Sequence, residues 1–109
     1  MAEMKTEETK RIELHAKLEY LLGSKHVYFQ PPDDLKIEYP CILYYKSRPR
    51  HFKADDNNYL TRQGYTVTVV DYDPDSQIPY DLVNYFIYAA IDSTYRSNGL
   101  NHTKLSLYY

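Results

Sequence analysis

One cysteine, three glycines and no tryptophan occur among the 109 residues. A single thiol cannot close a disulfide within the chain. That excludes the stapled, loop-rich scaffolds of small secreted proteins and suits a protein made in a reducing cytoplasm. The glycines stand far apart, so there is no Gly-rich loop to cradle a phosphate. No apolar run approaches the roughly 20 residues of a membrane-spanning helix. The N-terminal stretch Met1 to Glu8 is charged where a signal peptide needs an apolar core. The expectation is a soluble protein, intracellular at birth, with no membrane partner. Charge of either sign is also scarce in excess: 13 Lys and Arg stand against 15 Asp and Glu, a net of −2. Bulk charge therefore neither advertises nor excludes nucleic acid.

What the chain does have is tyrosine, 14 of them beside 3 phenylalanines. A large apolar ring with a polar tip suits the faces of a small sheet and wet protein interfaces. At this length the chain is expected to form a single domain, 1–109, around one core. The clearest element runs from Gln63 to Asp71, where Tyr65, Val67 and Val69 alternate with Thr66 and Thr68. β-Branched and aromatic residues at period two predict a half-buried strand.

Residues 1–6 are expected to form a flexible N-terminus. From Glu7 to Leu22, Leu14, Leu18, Leu21 and Leu22 recur at helical spacing, Thr6 or Thr9 can cap the start, and Gly23 stops the helix. His15 reads as a solvated residue of that helix. Val27-Tyr28-Phe29 predicts a short strand ended by Pro31-Pro32, and Cys41 to Tyr45, apolar on both faces, predicts a central one. After the Gln63 strand comes an acidic turn with Asp71, Asp73 and Asp75. Ser76 can then cap a second helix, with Pro79 in its first turn and Ile78, Leu82, Tyr85, Phe86 and Ala89 facing inward. That helix is expected to fade between Ala90 and Ser93. Thr94 to Arg96 can form a short strand, Ser97-Asn98-Gly99 a tight turn, and Thr103 to Tyr109 a last strand with Leu105, Leu107 and Tyr109 on one face. The fold class is α+β, in the order α-β-β-β-α-β: a mainly antiparallel sheet of four to five strands with two helices packed on one face.

Catalytic chemistry finds little support in these residues. Asp71, Asp73 and Asp75 have the spacing that opens a calcium loop, but Ser76 and Leu82 stand where that loop needs Gly and Glu. His15, His26, His51 and His102 are scattered, which gives zinc no ligand set. Cys41 lies in an apolar strand without an adjacent base, so a packed core thiol is the better account. The expectation is a protein with no catalytic site, no metal and no cofactor.

One segment reads differently. Residues 47–62 lack clear periodicity and form a long arm between two strands, and such connections are often functional. The segment opens basic, with Lys46, Arg48, Arg50, His51 and Lys53 around Phe52, and turns acidic at Asp55 and Asp56. Three readings fit: a solvated loop, a protein–protein contact, or a track for a phosphate backbone. Both signs of charge in sequence suit a head-to-tail contact between copies of the chain, and these eight residues are the candidate subunit or partner interface.

The sequence resembles the tail terminator, or tail-completion, family of tailed bacteriophages, whose members join heads to tails. The resemblance is carried by Glu38-Tyr39-Pro40-Cys41-Ile42, Ala54-Asp55-Asp56-Asn57, Tyr65-Thr66-Val67-Thr68-Val69-Val70-Asp71, Asp73-Pro74-Asp75-Ser76 and Leu100-Asn101-His102. It implies a non-enzymatic virion protein that closes into a ring, typically a hexamer. The ring caps the tail tube, stops its polymerisation and offers a docking face to the head connector. The implied partners are thus further copies of the chain, the tail tube protein and a head-completion or connector protein, with DNA only as cargo passing through the lumen. Such a protein is made in the bacterial host cytoplasm and ends in the tail or neck of the virion. Other neck and connector proteins share this size and style. A small nucleic-acid-binding module using the basic arm is the alternative from a different class, and a small hydrolase a weaker third.

Overall fold

The computed structural model describes residues 6–53 and 59–109. These form α1 (Glu7–Leu22), β1 (Val27–Phe29), β2 (Cys41–Lys53), β3 (Tyr59–Asp71), α2 (Ile78–Tyr85), β4 (Tyr88–Ser97) and β5 (Leu100–Tyr108). The strands make one sheet in the order β1-β2-β3-β5-β4, antiparallel except where β1 runs beside β2. The fold is α+β, as the periodicities predict.

Local signals set the ends of α1. The Thr6 hydroxyl accepts the Thr9 amide at 3.1 Å, which satisfies one of the donors a helix start leaves open. At the other end Gly23 takes φ 84°, and its N–H donates to the Glu19 carbonyl at 2.9 Å. Between these ends Leu14 and Leu18 are fully buried. They meet Ile42 and Tyr44 of β2, Tyr65, Val67 and Val69 of β3, and Leu105 and Leu107 of β5. Leu82 and Phe86 join the same cluster, so both helices cover one face of the sheet. Each leucine taken fully out of water there stabilises the fold by about 2 kcal/mol.

The period-two pattern of β3 gives its other residues to the opposite face. There Cys41, Val70 and Leu100 pack with Ile37, Tyr39 and Leu43 in a second cluster. Cys41 has no exposed surface, and burial pushes its thiol up to about 12. In folded protein at pH 8 the thiol is therefore expected to resist an aromatic disulfide reagent, with full labelling only once guanidinium unfolds the chain. Prompt labelling of the native protein would contradict this packing. Burial similarly pushes the Tyr65 hydroxyl up to about 12, so its ring stays neutral in the core.

The structure corrects the sequence reading in four places. First, residues 47–62 are not an irregular connection among the described residues. β2 runs on to Lys53 and β3 begins at Tyr59, and the two pair from Arg50↔Arg62 to Lys53↔Tyr59. A two-stranded ribbon with one wet face and the other only partly covered has no clear hydrophobic alternation to reveal it. Second, α2 stops at Tyr85, and Ala89 belongs to β4 rather than to an inward helical stripe. The run from Tyr85 to Ile91 is apolar enough to fit either element, and β4 then extends ten residues to Ser97. Tyr85 itself is exposed.

Third, Ser76 does not occupy the cap position of α2. Gln77 does, without a side-chain cap, while the Ser76 hydroxyl accepts the Ile78 amide at 3.4 Å. Fourth, His15 is half-buried, and its Nδ1 lies 2.7 Å from the Tyr44 hydroxyl. The Tyr44 ring rises through the core to the helix, and its polar tip takes a partner there. The expected turn at Asn98-Gly99 is present, with φ 53° and 76° joining Ser97 to Leu100. Two left-handed residues in a two-residue loop match the right-handed twist of β4 and β5. No helix among the described residues is long and apolar enough to cross a membrane.

Candidate functional site

The ribbon made by the outer parts of β2 and β3 gathers most of the residues singled out in the sequence. β1 pairs only with Ile42–Tyr44, and β5 pairs with β3 only from Gly64 onward. Beyond those points the ribbon leaves the sheet, and its two outer edges lack ladder partners among the described residues. The molecule measures 48 × 29 × 23 Å along its principal axes.

A bulge marks the departure. Ser47 pairs with Gly64 and Arg50 with Arg62, so Arg48 and Pro49 together stand opposite Gln63. Pro49 has no amide to donate, and a bulge is one of the few places inside a strand that tolerates it. Gln63 fastens the bulge: its Nε2 donates to the Ser47 carbonyl at 2.6 Å and to the Gly64 carbonyl at 3.0 Å. Gly64 is buried where an added β-carbon would run into the Arg48 carbonyl and the Tyr108 ring. The missing side chain lets the two strands close there.

Beyond the bulge the ribbon presents two faces. Arg50 and Phe52 share one face with Arg62 and Leu60 across the ladder. The Phe52 ring stacks on Tyr88, centroids 4.0 Å apart, and meets Tyr108 edge-on at 5.6 Å. Both tyrosines lie on the sheet face away from the helices, since the neighbouring Leu107 faces the core. The Arg50 guanidinium sits 5.2 Å from the Phe52 centroid and 5.8 Å from that of Tyr108. Arg62 lies 5.2 Å from the Tyr88 centroid. Arg50, Phe52, Tyr88, Asp92, Ser106 and Tyr108 line an open groove of about 410 Å³. On the other face, His51 Nδ1 is 2.7 Å from the Thr61 hydroxyl.

Of the eight residues expected at an interface, Lys46, Arg48, Arg50, His51 and Lys53 are exposed along β2 and Phe52 is half-buried. Asp55 and Asp56 lie outside the described residues. Sequence reasoning missed Arg62, Gln63, Tyr88 and Tyr108. A lone Gly inside a strand pattern, with Pro in the facing basic run, was the available signal for the bulge. Nothing in the sequence places Tyr88 and Tyr108 under Phe52.

Elsewhere the described residues offer little reactive chemistry. No three His, Cys, Asp or Glu side chains among them gather as metal ligands. His26 Nε2 lies 3.4 Å from Glu38, and His15, which meets the Tyr44 hydroxyl through Nδ1, has Nε2 3.5 Å from Glu19. Comparison with known proteins assigns no family: no protein-family model matches the chain, and no curated protein matches it significantly.

Proposed function

We propose that this chain is a structural assembly protein of the tailed-phage tail terminator kind. It forms a ring through head-to-tail contacts, caps the tail tube and presents a face to the head connector, with DNA passing through the lumen. The reading joins the sequence resemblance to one structural observation. A basic ribbon projects from the sheet, anchored at its base by a bulge and by aromatic packing. A projecting element held still, with its charges turned outward, suits a contact between subunits better than it suits a substrate site.

The nucleic-acid alternative draws on the same arginines. Against it, the rings of Phe52, Tyr88 and Tyr108 are engaged with one another and with guanidinium groups, so they are poor platforms for stacked bases. Light scattering and negative-stain images of purified protein test the proposal. Rings in solution, or rings capping purified tail tubes, are the expected result. A strict monomer that also leaves tubes uncapped would sink it. Strongly salt-dependent binding to DNA, weakened by Arg48→Ala and Arg50→Ala, would favour the alternative instead.

A further inference from the structure

The two ends of β3 carry opposite charge. At its start, Arg50 and Arg62 oppose each other across the ribbon, although like charges at directly facing positions repel. Neither guanidinium pairs with a carboxylate among the described residues, and Arg62 Nε is buried without a hydrogen-bond partner. Aromatic rings lie beside both groups, Phe52 and Tyr108 at 5.2 and 5.8 Å from Arg50 and Tyr88 at 5.2 Å from Arg62, a contact that favours each cation in place and leaves terminal N–H groups for an acceptor. The site is therefore organised before any anion arrives.

At the other end, Asp71, Asp73 and Asp75 follow one another in consecutive Asx turns. Asp71 Oδ1 accepts the Asp73 amide at 3.1 Å, and Asp73 Oδ1 accepts the Asp75 amide at 2.9 Å. These bonds orient the turn and leave the second oxygens of Asp71 and Asp73, and the whole Asp75 carboxylate, without a basic partner among the described residues. Asp73 and Asp75 are exposed. The 13 residues of β3 separate the two ends by roughly 40 Å, too far for one chain to join them itself.

We infer that the arginine pair Arg50–Arg62 of one copy receives the Asp73 and Asp75 carboxylates of the next. This rests on the ring-forming reading above and names the contact that would propagate the ring. The occupant is a second copy because the chain carries the complementary, equally preorganised acidic surface itself. Repetition of this contact is head-to-tail, the arrangement that closes into a ring. Simple addition of strand to strand is a poorer candidate. The free edge of β4 is bent by a bulge at Asp92, whose carboxylate accepts the Ser106 hydroxyl, and a charged bulge blunts an edge against pairing.

The test uses the full chain. Arg50→Glu/Arg62→Glu and Asp73→Lys/Asp75→Lys are each expected to weaken self-association at least about tenfold, in solution or on tail tubes, by sedimentation and negative stain. Mixed in equal amounts, the two should assemble again, because alternating copies bring together one native and one inverted contact, both complementary. Asp73→Asn/Asp75→Asn keeps the Asx-turn oxygen of residue 73 and removes only charge. It should fold with an unchanged melting temperature and still lose association. If wild-type rings form and these variants form them equally well, the arginine–aspartate contact is wrong while the ring reading stands. Should the mixture stay dissociated although each variant melts cooperatively, the contact is equally wrong. A wild-type protein that never assembles overturns both.

Discussion

Gly64→Val is expected to destabilise the protein by about 3 kcal/mol, at the upper end of what overpacking a closed site costs. A β-carbon at residue 64 would be driven into the Arg48 carbonyl oxygen and would stand 2.6 Å from Ser47 Oγ and 3.0 Å from the Tyr108 ring. A hydroxyl or a ring edge can swing aside, whereas a backbone carbonyl in a bulge cannot. Relief requires β2 and β3 to separate at the point where the ribbon leaves the sheet. Valine would ordinarily favour a strand, so the sign of the effect is diagnostic. Urea unfolding followed by circular dichroism should rank stability as wild type, then Gly64→Ala, then Gly64→Val. An unchanged midpoint for the valine variant would mean that the bulge is looser than described. The same substitution should free Phe52 from Tyr88 and abolish assembly, if assembly runs through the arm.

Leu105→Ala should cost a similar amount, about 3–4 kcal/mol, by a different route. Leu105 is wholly buried on β5, opposite Val67 of β3 and Ile91 of β4, within the cluster that both helices cover. Truncation removes apolar contact and leaves a cavity that the flanking strands cannot collapse into. The adjacent Ser106 points to the other face, where its hydroxyl donates to Asp92. Ser106→Ala should therefore cost only about 1 kcal/mol or less. Equal losses at the two positions would show that the register of β5 is off by one residue, since a single slip exchanges its faces.

These two sites differ in how far the sequence reveals them. Leu105 stands in plain alternation with Leu107, and the core-facing side of β5 follows from that period. The same holds for Tyr65, Val67 and Val69, and for the ends of α1, where Thr6 and Gly23 act within a turn of the residues they cap. Asn98-Gly99 announces its turn for an equally local reason. Gly64 is legible only as an oddity. Its necessity comes from a carbonyl sixteen residues earlier and a ring near the C-terminus, which only the assembled sheet brings together.

The arm was recognised as a segment but not as a pair of strands. Period-two burial is the signature of a strand with one dry face, and this ribbon leaves one face wet and covers the other only in part. β4 was hidden for the opposite reason, because its first residues continue an apolar run that began in α2. His15 was misread because its partner, Tyr44, lies 29 positions away. Within the candidate interface, the basic residues of β2 could be named from sequence. Their support by Tyr88 and Tyr108, and the opposition of Arg50 to Arg62, are tertiary facts.

β3 joins the arm to the acidic turn without interruption, and it is flanked by antiparallel strands on both sides along its inner half. A pull applied between its two ends would run along a backbone that is already extended, with the ladders on either side holding it straight. The molecule is built as a tension member along this axis, stiff between its charged ends even though its outer edges are open.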